Sequence, residues 1–184
     1  SDARWLAHLL RLGVLPEGYI YPKAERAVSD LLRKRTHLVR QHTANILSVQ
    51  NILARNTGAR FSGKRIQELT KQDLTTLLAD ESQVLAVTSS LVVLDCLKHQ
   101  IKTLEKTVHK HLYNTPSYEQ LLTVQGVGTI LAQTISLETC TISHFPTVGH
   151  YASYCRCVDS RRLSNGKRKG TGNVKNGNPY LAWA

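Results

Sequence analysis

Methionine is absent from all 184 residues of this chain, which opens directly on SDARWLAHLL. A reading frame begins with Met, so the expectation is a piece of a longer protein. The closing PYLAWA stops inside an apolar run without a cap or breaker, and both ends read as cut. Cysteine is scarce as well. The four present, Cys96, Cys140, Cys155 and Cys157, form no CxxC pair, and the last two are spaced wrongly for a zinc knuckle. Reduced, mostly buried thiols are expected, as in an intracellular protein. The uncharged stretch 82–94 is too short and too polar to span a bilayer, so no membrane partner is expected. No signal-peptide pattern is present.

Acidic side chains are few: 13 Asp and Glu stand against 24 Lys and Arg, a formal net charge of +11. Such a surplus points first to a polyanionic partner. The imbalance is local. Residues 156–175 hold Arg156, Arg161, Arg162, Lys167, Arg168, Lys169 and Lys175 against the single acid Asp159. Residues 117–155 hold only Glu119 and Glu138 and no Lys or Arg. The basic stretch DSRRLSNGKRKGTGNVKNGN interleaves its cations with Gly166, Gly170, Gly172 and Gly177, and carries Ser164 near its start. It shows no apolar periodicity, so it is neither a core helix nor a buried strand. Cations on a glycine-rich backbone suit a phosphodiester, because bare N–H groups can approach closely while side chains supply charge. A solvated basic loop has the same composition, and the remainder of the chain must separate the two.

From the N-terminus, residues 2–12 form a short helix with Leu6, Leu9 and Leu10 on one stripe and Asp2 in its first turn, where a carboxylate favours the helix dipole. Pro16, Gly18 and Pro22 make a loop, and Pro22 suits the first turn of the next helix. That long helix covers about 23–53, with Leu31, Leu38, Ile46, Val49 and Leu53 at three-, four-, seven- and eight-residue steps. His37 and His42 lie five apart on it, not the four that would make a metal pair on one face. A polar connection occupies 55–72, with a helical turn near Ile66, then a short helix over 73–78. A second long helix spans 82–112, with Leu94, Leu97, Ile101, Leu104 and Val108 at coiled-coil spacing. The pair predicts an antiparallel hairpin, extended by dimerisation or closed within one chain as a bundle.

The composition changes at 114–116. Tyr118, Leu121 and Leu122 end a short helix, Gln125-Gly126-Val127-Gly128 makes a tight turn, and a helix starts at Thr129 with small Ala132 for close packing. This is a helix-hairpin-helix pattern, in which Gly126 and Gly128 bring N–H groups and a helix N-terminus to a phosphate oxygen. An ordinary turn between two helices can carry the same glycines. A helix over 150–154 precedes the basic stretch, and a last one begins at Pro179 with Trp183 expected in the core. The fold class is therefore all-α: a long helical hairpin or coiled coil followed by a small helical domain.

The C-terminal motifs now support a resemblance. LLTVQGVGTILAQTI, FPTVGHYASYCRCV and SRRLSNGKRKGTGNVKNGNPYLAWA resemble the C-terminal domain of the "one-ten" insertion-sequence transposases, and the LSNGK…KG.GN.KNGN..LAWA string its "eleven-eleven" subgroup. The N-terminal DA-x-x-LA helix, G-x-L-P loop and R-x-x-LVRQ run are similar to the same family, so the resemblance covers nearly the whole chain. It implies three parts: 1–15 as the end of a RuvC-like domain with four acidic metal ligands, 16–115 as the helical hairpin, and 116–184 as the transposase domain. It also implies DNA strand exchange, a structured guide RNA encoded by the element, homo-oligomers joined through the hairpin, and a bacterial cytoplasmic, nucleoid-associated setting. The family's serine falls on Ser164, with Ser160 as the alternative, and the flanking Arg161, Arg162, Lys167, Arg168, Lys169 and Lys175 would neutralise transition-state charge. The family's last acidic ligand matches Asp2, which would then hold Mg2+ rather than cap a helix. The other three carboxylates would lie upstream, and one carboxylate alone holds Mg2+ poorly. This chain by itself is therefore not expected to be a competent transposase. Two further readings stay open: a non-catalytic nucleic-acid-binding module from a decayed element, and a helical oligomerisation piece.

Overall fold

The computed structural model describes residues 2–14, 21–158, 163–168 and 177–184. Among them the fold is all-α apart from one two-residue β-hairpin. Helix α1 spans Asp2–Arg11, α2 Lys23–Thr57, α3 Gly63–Gln67, α4 Lys71–Leu77 and α5 Glu81–Leu112. After these come α6 Pro116–Leu122, α7 Thr129–Thr139, α8 Val148–Tyr154 and α9 Pro179–Trp183, with a 3-10 turn at Ile142–His144. Strands β1 (Leu163–Ser164) and β2 (Lys167–Arg168) form the hairpin.

Local chemistry sets the boundaries. Pro22, in extended conformation, stands just before α2 rather than inside its first turn, because its ring fixes the entry without removing a helical donor. Gly58 ends α2 in the left-handed region (φ 70°), with its N–H bonded to the Ala54 carbonyl. Thr70 and Asp73 form a reciprocal capping box at α4. The Asp80 carboxylate accepts from the backbone N–H groups of Ser82 and Gln83 at the start of α5. These bonds stabilise the ionised carboxylates and hold both Asp73 and Asp80 below their ordinary pKa.

Helices α2 and α5 run antiparallel along the molecule and pack on each other for most of their length. Of the five spaced positions on α5, Leu94 and Val108 are buried and Leu97, Ile101 and Leu104 are half-buried, while Val92, Val93 and Cys96 on the opposite side are exposed. Between the two helices, Arg35 of α2 meets Glu105 of α5 at 2.7 Å, with both side chains partly shielded from water.

Two separate clusters of buried side chains sit at the two ends of this hairpin. At one end, Val49 and Leu53 of α2 and Val84, Val87 and Leu94 of α5 close over Ile66, Leu69, Leu74 and Leu78 of the α3–α4 connection. Gln50 of α2 also donates to the Phe61 carbonyl at 2.7 Å, pinning that connection. At the other end, Leu32 of α2 and Val108 and Leu112 of α5 enclose Tyr118, Ala132 and Leu137 of α6 and α7. The C-terminal helices are thus built directly onto the base of the hairpin.

Among the described residues nothing covers the stripe of α1: Leu6 and Leu10 are exposed along with Trp5, and no residue of that helix is buried. Two expectations from sequence do not hold. Trp183 lies at the surface, 57 % exposed, because Leu181 rather than Trp183 turns inward on the short α9. The four thiols form no disulfide with one another but are not mostly buried, since only Cys155 is, with Cys96 and Cys157 exposed and Cys140 intermediate. By length and composition alone, α5 is long and apolar enough to cross a membrane, which residues 82–94 by themselves are not. The core helix of a water-soluble protein passes the same test, and α5 lays its seam along α2.

Candidate nucleic-acid interface

Helices α6 and α7 pack against each other through a turn in which Gly126 takes φ 89° and Gly128 occupies the N-cap of α7. A left-handed φ at position 126 is open to glycine without strain. A Cβ at either glycine would meet no atom within 4 Å, so the turn faces open space rather than a packed neighbour. Gly128 offers no side chain to cap α7. No side-chain hydrogen bond from the cap position satisfies the first-turn N–H groups of this eleven-residue helix, the condition for an anion to take that place.

The basic stretch contains the β-hairpin. Leu163 pairs with Arg168 and Ser164 with Lys167. Asn165 (φ 52°) and Gly166 (φ 71°) form the connection, both left-handed, the signature of a type I′ turn. Ser164 is therefore not on an irregular loop but at the strand end beside the turn, and the residue paired with it is a lysine that is itself exposed. The Asn-Gly dipeptide is a hairpin signal that reading the stretch as a loop overlooks. Arg161, Arg162, Lys169 and Lys175, together with the alternative serine Ser160, lie outside the described residues.

The frame that carries this stretch is polar and buried. Glu138, in the last turn of α7, has both carboxylate oxygens engaged: Oε1 accepts from Arg33 Nε at 2.9 Å, and Oε2 from the same guanidinium at 2.9 Å and from Asn178 Nδ2 at 2.7 Å. The bidentate pair keeps Arg33 more firmly protonated than an ordinary arginine, chiefly through the bonds it donates to Glu138. The guanidinium also lies 4.6 Å from the Tyr180 ring centroid. Asn178 in turn donates its backbone N–H to the Tyr154 carbonyl at 2.7 Å, and its Oδ1 caps α9 from the N–H groups of Tyr180 and Leu181. Tyr21 adds a hydroxyl bond to the Leu137 carbonyl. Nearby, burial pushes the Cys155 thiol up, away from the thiolate form a nucleophile needs.

Asp2 stands exposed in the first turn of α1. Among the described residues no group of three or more His, Cys, Asp or Glu side chains could hold a metal ion. On their own, the described residues of this chain do not fit a Mg2+ site.

Glu138, Arg33 and Asn178 were not singled out from sequence. The one available signal was that Glu138 is an isolated carboxylate in an otherwise uncharged helix, TILAQTISLET. A buried carboxylate needs a partner, and here that partner is 105 residues away.

Residues 118–184 match the family described as "Transposase IS116/IS110/IS902 family". Over 164 residues the chain is 27 % identical to a Pseudomonas aeruginosa protein named "Probable family 20 transposase". That similarity covers 85 % of this chain and 48 % of the relative, so the chain spans about half the length of the protein it matches. No solved structure matches. Residues 118–184, which include the glycine turn, the Ser164 hairpin, Glu138 and Asn178, thus align with the domain of the IS116/IS110/IS902 transposase family.

Proposed function

We propose that this chain is the helical-hairpin and phosphate-contacting part of a DNA transposase, with Ser164 as attacking group. The observation that carries the reading is the family match across 118–184, which takes in both the open glycine turn and the basic stretch. In the proposed step, the Ser164 hydroxyl loses its proton to solvent or a base and its Oγ forms a bond to a DNA phosphorus. The bond from that phosphorus to one sugar oxygen breaks, and the leaving strand takes a proton to end as a hydroxyl. The phosphoserine link keeps the strand joinable. Lys167, at the residue paired with Ser164, supplies positive charge where the phosphate gains negative charge. The N–H groups at Gly128 and the first turn of α7 would hold a neighbouring phosphate.

Residues 1–15 are read as the edge of an upstream acidic unit that would complete a Mg2+ site with Asp2. The exposed apolar residues of α1 support contact with another unit. The exposed Leu47 of α2 and Leu85, Val92 and Val93 of α5 support pairing of two copies along the hairpin. A structured guide RNA belongs to the same proposal.

The phosphate reading is tested by salt titration of duplex DNA binding to this chain. Log affinity should fall linearly with log salt, and Lys167→Ala should reduce the slope by about one. Binding that does not respond to salt would remove the reading. Sedimentation at rising concentration tests the pairing, and a persistent monomer would exclude it.

A further inference from the structure

The chain enters the segment 159–176 from Cys155–Val158 and returns at Gly177 and Asn178, and these two ends touch. The Asn178 N–H bonds the Tyr154 carbonyl at 2.7 Å, and the Arg156 guanidinium donates to the Gly177 carbonyl at 3.2 Å. Gly177 has φ 82°, and a Cβ there would fall 2.6 Å from the Tyr154 carbonyl oxygen and 3.2 Å from that of Ser153. Only glycine permits so close a crossing of two backbones. The next residue, Asn178, donates to the Glu138 carboxylate, which is 5 % exposed and is also held by Arg33 of the hairpin helix α2.

Stability alone is a weak reason to keep such a group. A buried ion pair recovers little more than its own desolvation, and apolar side chains of equal volume often serve a core as well or better. What a carboxylate with three directed bonds supplies is a fixed geometry among the elements it joins: here α2, α7 and the closing residues of the basic segment. We propose that Glu138 is a positioning residue, which through Asn178 locks to the hairpin helix the point where the chain returns from the basic segment, and so sets how Ser164 and Lys167 meet a phosphate backbone. This rests on the reading of that segment as a nucleic-acid contact, and it adds a residue that touches neither DNA nor the reacting atoms.

The test uses this chain with a short DNA duplex, comparing Glu138→Gln, Asn178→Asp and the double variant that exchanges the two groups. Asn178→Asp retains the oxygen that caps α9 but sets two carboxylates against each other. The exchanged pair again matches an amide donor with a carboxylate. Each single variant should weaken DNA binding by about tenfold and speed tryptic cutting within 159–176, while circular dichroism shows the helices intact. The double variant should recover part of both losses, because the 138–178 bond returns while Arg33 keeps one acceptor oxygen instead of two, and a general loss of fold would produce no recovery. Folded single variants that bind and resist trypsin as the parent does would overturn the proposal. So would a double variant that is no better than the singles. If Lys167→Ala also leaves binding unchanged, the nucleic-acid reading fails, and the trypsin rates still decide the positioning role by themselves.

Discussion

A Ser164→Ala variant, made in a chain that also carries the upstream acidic unit, is expected to lose DNA strand cleavage by on the order of 10^4-fold or more while binding DNA as before. The size comes from the role. A nucleophile has no partial substitute, because the methyl group of alanine cannot form the Oγ–P bond through which the reaction passes, whereas a phosphate-holding cation shares its work with neighbours. Affinity should stay within about threefold, since one hydroxyl adds little to a contact held by several charges. The measurement is trapping of a covalent protein–DNA adduct on an end-labelled duplex, with Ser160→Ala alongside. An adduct that persists in Ser164→Ala and vanishes in Ser160→Ala would move the nucleophile to Ser160. Persistence in both would discard the serine chemistry and leave a binding module.

The largest effect on stability is expected at Leu53. This side chain is fully buried at the end of the hairpin, in the cluster where α2 and α5 close over Ile66 and Leu74, both also fully buried. Leu53→Ala removes three carbon atoms from a site bounded by two long helices held in place along their whole seam, so the cavity cannot collapse readily. A loss of about 3–4 kcal/mol is expected by urea unfolding. Leu47→Ala, on the same helix but 53 % exposed, should change stability by less than about 0.5 kcal/mol. Equal effects from the two would mean that the α3–α4 connection does not pack as described.

The helical pattern was legible because it is local. Apolar spacing placed α2 and α5, and Pro and Gly signals with apolar residues placed the short helices to within a few residues. The glycine turn before α7 was legible for the same reason. Burial on the short helices was less so. A three-leucine stripe says that a face is apolar, not that anything covers it, and α1 leaves its face to solvent. On α9, five residues long, periodicity cannot decide between Leu181 and Trp183, and packing on α7 selects Leu181. The hairpin around Ser164 was missed although Asn165-Gly166 announces it, because the flanking strands are only two residues each and carry no alternating apolar pattern. Glu138, Arg33 and Asn178 were out of reach, since each is an ordinary residue in its own neighbourhood and the chemistry arises only where distant segments meet.

The placement of the two apolar clusters at opposite ends of the hairpin sets a length. Arg33 anchors one end of α2 and Leu53 the other, and twenty residues of α-helix between them rise about 30 Å. That is the span of roughly nine base pairs of B-form duplex. Because a helix pair braced by its apolar seam and by the Arg35–Glu105 contact resists shortening, the Arg33–Glu138 frame and the hairpin's far tip stay a fixed distance apart. On the proposed reading, a duplex contact made at that tip would therefore stand almost one full turn from the phosphate contacts beside the frame.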